Sequence, residues 1–350
     1  KNNLNKKFNN IMAKAKIGLK MVYHLLNLSE KVKIIETKVS EYAKLNKEDM
    51  TYAELTQSFH TFLFIRFHLW VNASFADFYA MLTHGFLGKF LAYVKLENPQ
   101  GTQNGLIQAI PNLVSNQPLH RLYQIHKAVE EEKKFKDLFA KDSAHIYEQV
   151  QGHKDYFELK ELINSYLNDW GFRCPGELTF LTENYIENPF AFIDMVKTYR
   201  STSPENPQRL LDIKHADQIN LQYETKLKIR RILKLRPLKK WLSTFLLKVL
   251  VRLTMFSISS RERVRLKQAQ MYYTFKDTCK KLGVTLAKRE VLKDPLDIFY
   301  LEYKEINRIL SGEETDLSYI HSLISLRKQS IEKAEEAPDN IYTFREDFGL

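Results

Sequence analysis

The chain has 350 residues, 44% of them hydrophobic and 12% aromatic, which is enough for one large domain or two smaller ones with a packed core. Its 11 glycines and 10 prolines favour long helices, and two distant cysteines, Cys174 and Cys279, argue against a disulfide framework and for a reducing, cytoplasmic compartment. A net charge of +11 leaves nucleic acid open as a partner. The polar start from Lys1 to Asn10 has no initiator methionine or signal peptide, so we expect a fragment of a longer protein.

The hydrophobic periodicity predicts an all-α fold, an irregular domain of about ten or more helices that encloses an apolar pocket. We expect one helical domain over residues 1–334, with a sub-boundary near 201–207, and a linker over 335–350 that leads to a missing domain. The predicted helices are Leu4 to Leu26, Ser29 to Leu45, a long region from Thr51, Leu119 to Glu132, shorter pieces to Val150, Lys154 to Leu167, Gln208 to Leu235, Leu238 to Phe256, Ser260 to Leu282, Leu296 to Leu310 and Asp316 to Ala334.

The region that starts at Thr51 opens with a capping-box pattern, Thr51 to Glu54, and is unusually aromatic. Two interpretations remain open: a core helix buried on several sides, or the wall of an apolar ligand cavity. We take three of its side chains, Phe67, Trp70 and Phe78, as candidate substrate-binding residues. No carboxylate or cysteine stands at ligand spacing from the histidines here, so no metal site is expected. The aromatic residues are Phe59, Phe62, Phe64, Phe67, Trp70, Phe75, Phe78 and Tyr79.

Residues 169–178, DWGFRCPGEL, crowd Gly, Pro, Trp and opposite charges together in a chain of long helical runs. Gly171 is expected to end the preceding helix in the left-handed conformation. Arg173 and Glu177 are four residues apart, which suits a partly buried ion pair. The alternative is that Arg173 is directed at an anionic or hydroxyl-bearing ligand.

The densest basic run, residues 226–240, contains eight cations and no acidic residue. Leucines and isoleucines interleave with these cations at helical spacing, which predicts an amphipathic helix with a solvated basic face that ends near Pro237. A phosphate-binding surface is the alternative. The apolar segment 241–256 is expected to be a buried or groove-lining helix, because it is too short to span a membrane and contains Lys248 and Arg252.

The segment from Ser259 to Arg265, SSRERVR, has two interpretations. Ser259 and Glu262 form the S-x-x-E pattern of a capping box at a helix start. Alternatively, Arg261 and Arg265 share one helix face beside Glu262, so that two cations and a carboxylate converge on a ligand. Such a trio can bind a phosphate and accept a proton from a hydroxyl.

These two stretches together resemble the phosphoenolpyruvate-synthase-like family, which includes rifampin phosphotransferases. The segment WGFRCPGEL, 170–178, followed by YIENP, 185–189, is similar to the family signature YGHRGPGELDL … W-x-E-x-P. Arg261, Glu262 and Arg265, then LG at 282–283 and DPLDIFYL at 294–301, are similar to its RE-x-x-(K/R) … LG … D-x-x-DIFYL run. The resemblance covers most of residues 105–310. Departures are Phe172 for histidine, Cys174 for glycine and Thr179 for an acidic residue.

The resemblance implies a helical substrate-binding domain that works with an ATP-grasp domain and a swivelling phosphohistidine domain of the same parent protein. Family members phosphorylate rifamycins or pyruvate, and related proteins activate pigment precursors for ATP-driven condensation. It further implies that Arg261, Glu262 and Arg265 lie where a small-molecule acceptor meets the phosphohistidine, with Glu262 as the candidate base. Arg173, Arg261 and Arg265 are the charged candidates for substrate binding. The complete enzyme would use ATP and Mg. The identity of the acceptor stays open.

The chain alone is expected to bind an acceptor, a bulky and largely apolar small molecule, without transferring phosphate. Its glycines form no phosphate-cradling motif, so no cofactor site is expected in this chain. Nucleic-acid and membrane partners are not expected either. The competing hypothesis is a non-catalytic helical module that binds protein or nucleic acid through the basic helix 226–240.

Overall fold

The computed structural model describes residues 2–111, 113–173, 180, 182–232, 237–314 and 316–335. These residues contain 14 α-helices, one π-helix and three short 3₁₀ helices, and no strand occurs among them, which confirms the all-α prediction. The apolar pocket stays a prediction. The α-helices are α1 Asn2–Leu26, α2 Leu28–Leu45, α3 Tyr52–Phe64, α4 Trp70–Tyr93, α5 Pro99–Ile107, α6 Gln117–Glu131, α7 Lys133–Phe139, α8 Ser143–Gly152, α9 Phe157–Trp170, α10 Pro189–Ser201, α11 Pro207–Ile232, α12 Pro237–Lys288, α13 Tyr303–Leu310 and α14 Leu317–Glu335. The π-helix is Ile65–Leu69.

Several prolines mark helix starts in this chain. Asn98 caps α5 by accepting a hydrogen bond from the Gly101 N–H at 2.9 Å, and Pro99 follows it. Asn188 caps α10 in the same way, ahead of Pro189. Proline suits the first helical position because its fixed φ fits the helix and the missing N–H would have no partner there. The sequence break near Pro99 is therefore the start of a helix.

The capping box at the start of α3 is confirmed. The Thr51 backbone N–H donates to Glu54 Oε2 at 2.7 Å, and the Glu54 N–H donates to Thr51 Oγ1 at 3.3 Å. This hydrogen bonding of the charged form lowers the pKa of Glu54, the bond from the Thr51 N–H contributing most.

We expect the contribution of Glu54 to stability to depend on pH. Its folded-state pKa is depressed, so the contribution is present above the unfolded value of 4.5 and is lost as the pH falls through the folded value. A Glu54→Ala variant should therefore melt below the wild type at neutral pH, and the difference should shrink in acid. Thermal unfolding followed by circular dichroism measures this. A difference in melting temperature that does not change with pH would show that ionisation of the Glu54 carboxyl group contributes nothing to stability.

The Cα positions divide the chain into two compact units. Within the described part of the chain, the first unit comprises the residues up to 44 together with 63–273, and the second comprises 45–62 together with the residues from 274 onward. The loop at 203–207, where we expected a sub-boundary, lies within the first unit. Residues 336–350, the expected linker, lie outside the described part of the chain.

The first unit contains two main hydrophobic clusters. In one, helices α6 to α10 pack around buried residues that include Ile125, Ile163 and Phe192. In the other, α4, α5 and α11 pack against the first half of α12, through residues that include Ile229 and Leu247. Helix α2 is buried along one stripe with the three- and four-residue spacing that the sequence predicted. That stripe is Leu28, Val32, Ile35, Val39 and Tyr42.

The second unit joins α3 to the last part of α12 and to helices α13 and α14. The rings of Phe62 and Phe275 stack with centroids 3.7 Å apart. Cys279 is buried nearby, and burial raises the pKa of its thiol. Gly283 lies so close to the following 3₁₀ helix, Pro295–Tyr300, that a Cβ atom there would be 2.0 Å from the Pro295 carbonyl oxygen. The capping box between Asp294 and Asp297 starts that helix.

The π-helix interrupts the aromatic region, and the core-helix interpretation applies to only part of it. Phe59 and Tyr79 are buried in the cores, as the core-helix interpretation requires. Phe64, Phe67 and Phe78 are instead 54%, 55% and 41% exposed. One face of this region therefore presents aromatic rings to solvent.

Helix α12 corrects two expectations. The predicted helices 238–256 and 260–282 are one continuous helix of 52 residues. The apolar segment 241–256 is not simply buried: Leu247 and Val251 are buried, but Trp241 and Phe245 are 62% and 52% exposed. The argument that this helix is too short for a membrane therefore fails. By length and composition α12 is the one helix in the described part of the chain that can cross a membrane, with 28% of its most apolar window buried, although core helices pass the same test.

Candidate functional site

The predicted site segment 261–265 lies in the middle of α12. The S-x-x-E pattern at Ser259 to Glu262 is therefore not a capping box, and this interpretation was wrong. Glu262 is half-buried and forms no hydrogen bond or ion pair within the described chain. With no capping role to fill, its carboxylate is available for a ligand.

Two neighbouring helices hold this part of α12 in place. From α2, Glu36 accepts two hydrogen bonds from the Arg263 guanidinium, one of them from Nε at 2.8 Å, and Ser40 Oγ accepts one from Lys267 Nζ at 3.0 Å. From α4, Asp77 Oδ1 lies 3.0 Å from Arg261 Nε and 3.7 Å from Arg265 Nε. Bidentate arginine–carboxylate pairs fix orientation as well as distance.

The end of α9 lies opposite α12. Gly171 ends the helix, as predicted, but in the right-handed conformation with φ −65°, so the expected left-handed cap is wrong. Glycine is required here for a different reason: a Cβ atom would lie 2.3 Å from the Leu167 carbonyl oxygen and 2.8 Å from Ile186 Cγ1. Residues 174–179, which include Cys174 and Glu177, lie outside the described residues, and so does the predicted pair of Glu177 with Arg173.

The segment YIENP folds back onto this helix end. The Ile186 N–H donates to the Gly171 carbonyl at 3.2 Å. The buried Asn184 accepts hydrogen bonds from the backbone N–H groups of Ile186 and Glu187, and Glu187 Oε2 accepts from the side chain of Asn184 at 2.8 Å. The hydrogen bonds between Asn184 and Glu187 therefore hold this segment in a turn, and the turn is bonded to Gly171 through Ile186.

A cavity of about 140 Å³ brings together three of the predicted site residues. Arg173 reaches it from the end of α9, and Glu262 and Arg265 reach it from α12. Val114, Ser115, Trp170 and Leu266 complete its lining. Arg173 also lies close enough to influence the buried Tyr166, whose pKa is raised to about 12, chiefly by burial. Two cations and a carboxylate from distant parts of the chain thus line one small space.

A larger cavity of about 580 Å³ adjoins the first and shares Trp170 and Leu266 with it. It lies between α6, the end of α9 and α12, and we call the two cavities together the α9–α12 groove. Burial lowers the pKa of the Lys267 ammonium, which donates hydrogen bonds to Ser40 and to Gln270 Oε1. The remaining lining of the larger cavity is Gln117, His120, Arg121, Gln124, Asp169, Phe172, Lys267 and Gln270.

The other predicted site residues do not line this groove. Arg261 is directed to Asp77. Trp70 is 9% exposed, and Phe67 and Phe78 lie on the solvent-facing side of the aromatic region. None of these four residues lines either cavity of the α9–α12 groove.

Trp170 belongs to the motif at 169–178 that the sequence singled out, but the residues of α6 that line the larger cavity could not be identified from the sequence. His120 and Gln124 reach the groove because α6 packs along α9 through Ile125, Ile163 and Tyr166, which no local pattern in α6 reveals. The sequence does contain a signal for Lys267: it follows Arg263 by four residues and therefore lies on the same helix face.

The fold and this groove define a helical domain whose cationic and carboxylate side chains face a cavity. A family model described as the rifampicin phosphotransferase fourth domain matches residues 72–262, more than half of the chain. The chain belongs to this family, and the predicted resemblance is confirmed. The matched range includes Arg173, Arg261 and Glu262, while Arg265 and Lys267 lie a few residues beyond its end.

Proposed function

We propose that this domain of a rifampicin phosphotransferase-like protein binds the acceptor of an ATP-dependent phosphotransfer or ligation in the α9–α12 groove. The observation that carries the proposal is the convergence of Arg173, Glu262 and Arg265 on one cavity. ATP, Mg and the phosphohistidine would be supplied by other domains of the parent protein.

The volume of the groove suits a bulky small molecule. Ligand pockets usually measure about 300–1,000 Å³, and the larger cavity is about 580 Å³. We place the body of the acceptor there, against Trp170, Phe172 and Leu266. Its polar lining, which includes Arg121 and Asp169, can hydrogen-bond to several acceptor hydroxyl groups.

The smaller cavity would hold the reacting hydroxyl. In the proposed step that oxygen attacks the phosphorus of the phosphohistidine, the phosphorus–nitrogen bond breaks, and the hydroxyl proton passes to the Glu262 carboxylate. Arg173 and Arg265 would neutralise the negative charge of the transferring phosphoryl group. The Asp77 carboxylate, 3.7 Å from Arg265, helps to orient this arginine.

This proposal is tested by thermal unfolding of the chain with rifampicin, the compound in the family name, and with a set of other bulky compounds that carry hydroxyl groups. We expect at least one compound to raise the melting temperature saturably, because a ligand that binds only the folded state stabilises it. No rise with any compound would contradict an acceptor-binding role.

The location is tested with a pair of variants. Gln124→Trp places a large ring in the bigger cavity from an exposed position on α6, and should abolish the ligand-induced rise. Gln100→Trp makes the same change at an exposed position on α5 that lines neither cavity, and should leave the rise intact. Equal rises in both variants would place the ligand elsewhere.

A further inference from the structure

The first half of α12 has apolar residues on two opposite faces. Its buried face packs into the hydrophobic cluster with α4 and α11 through Leu247 and Val251. Its other face is exposed and carries large hydrophobic side chains, among which the rings of Trp241 and Phe245 stack at 5.6 Å. The exposed residues of this face are Leu238, Trp241, Leu242, Phe245, Leu246 and Phe256. We call it the α12 outer face.

Positive charge surrounds the α12 outer face. Between Glu224 and Glu262 the sequence contains no aspartate or glutamate. On α12 itself Lys239, Lys248 and Arg252 are exposed. Ordinary solvent-facing helix surfaces mix both signs of charge with few large apolar side chains, so this combination calls for a partner that is apolar and anionic at once.

The end of α11 adds further cations beside this helix. Ile229 of α11 is buried in the same cluster as Leu247 and Val251, so the last turns of α11 lie next to α12. Lys228, Arg230 and Arg231 are exposed there. Glu97 lines a cavity with Lys228 and Arg231 and offsets part of this charge.

We propose that the α12 outer face binds to the surface of an anionic lipid bilayer. Aromatic and aliphatic side chains enter the boundary between headgroups and acyl chains, while lysine and arginine contact the lipid phosphates. Tryptophan favours this boundary because its ring is apolar and its N–H remains near water. The helix lies on the membrane rather than across it, since Leu247 and Val251 remain in the protein core. This departs from the sequence expectation of no membrane partner, which rested on a 16-residue segment.

Tryptophan fluorescence gives a direct readout. Of the three tryptophans, Trp70 and Trp170 are buried and only Trp241 is exposed, so a blue shift on adding vesicles reports on the α12 outer face. We expect the chain to sediment with vesicles of equimolar phosphatidylcholine and phosphatidylglycerol, with a blue shift, and to bind pure phosphatidylcholine at least tenfold more weakly. Absence of binding to the anionic vesicles would overturn the proposal.

Variants separate this surface from other sources of binding. The double variant Trp241→Gln/Phe245→Gln should bind anionic vesicles at least tenfold more weakly, and Lys248→Glu/Arg252→Glu should also weaken binding. The matched control is Phe157→Gln, which removes a 65% exposed ring from α9 and should bind as the wild type does. Unchanged binding by the aromatic double variant would overturn the assignment to this face.

Two alternative occupants are tested in the same experiment. If the cations serve nucleic acid instead, the wild-type chain will bind single-stranded RNA or DNA but not anionic vesicles, and the aromatic double variant will bind the nucleic acid equally well. That result overturns the proposal. If a second copy covers the face, the chain will be a dimer that the double variant converts to a monomer, and vesicles will cause no blue shift. That result also overturns it.

Discussion

The Glu262→Gln variant of the parent protein should, on the function proposed above, lose turnover by a factor of about 10²–10⁴, the usual contribution of a positioned general base. Glutamine has nearly the same shape but cannot accept the acceptor proton. Because Glu262 lies in mid-helix without a partner in the described chain, the variant should melt at the wild-type temperature. Steady-state kinetics and thermal unfolding on the same preparations measure both quantities.

A matched control is available on a neighbouring helix. Glu224→Gln makes the same change at an exposed position on α11 that lines neither cavity of the α9–α12 groove, and should be fully active. Full activity of the Glu262→Gln variant would show that Glu262 is not the general base. It would not bear on acceptor binding by the groove, which the thermal-unfolding experiment tests separately.

The Gly283→Ala variant should be strongly destabilised. Its Cβ atom would lie 2.0 Å from the Pro295 carbonyl oxygen and 3.3 Å from Ile298 Cγ2, and a backbone oxygen cannot move aside as a flexible side chain can. We expect the free energy of unfolding to fall by about 3 kcal/mol, at the upper end of the usual cost of overpacking. Urea unfolding followed by circular dichroism measures it.

The control for this variant is Gly85→Ala in α4. Nothing lies within 4 Å of the added methyl group there, and alanine is favoured over glycine inside a helix by about 0.5–1 kcal/mol. This change should therefore stabilise the protein slightly. Equal stability of the Gly283 variant and the wild type would mean that the chain does not approach Gly283 this closely.

Most helices could be predicted from the sequence because their signals are local. The stripe from Val32 to Tyr42 has helical spacing, and the capping box of Thr51 and Glu54 marks a real helix start. The same S/T-x-x-E pattern failed at Ser259. There Ser257 and Ser260 are buried within α12. Because the helix is packed on both sides of Ser259, it continues through a pattern that marks a helix start at Thr51.

The candidate site was only partly accessible to prediction. Residue patterns and the family resemblance together singled out Arg173, Glu262 and Arg265, which the structure brings to one cavity. The exposure of Phe67 and the α6 wall of the groove depend on which helices pack together, and helical periodicity does not encode that. The π-helix at Ile65–Leu69 likewise changes the face that follows it by adding a residue to one turn.

The discontinuity of the second unit affects how the chain folds while it is being made. Ser58 of α3 finds its hydrogen-bond partner in Thr278, 220 residues later. At ribosomal rates of about 5–20 residues per second, the interval between the two is roughly 10–45 s. During this interval the apolar side of residues 45–62, with Leu55, Phe59 and Phe62, has no core of its own to enter. Until Thr278 and its neighbours have been made, the nascent chain therefore exposes an apolar aromatic segment, and a chaperone that shields hydrophobic surface at this stage would raise the yield of folded protein.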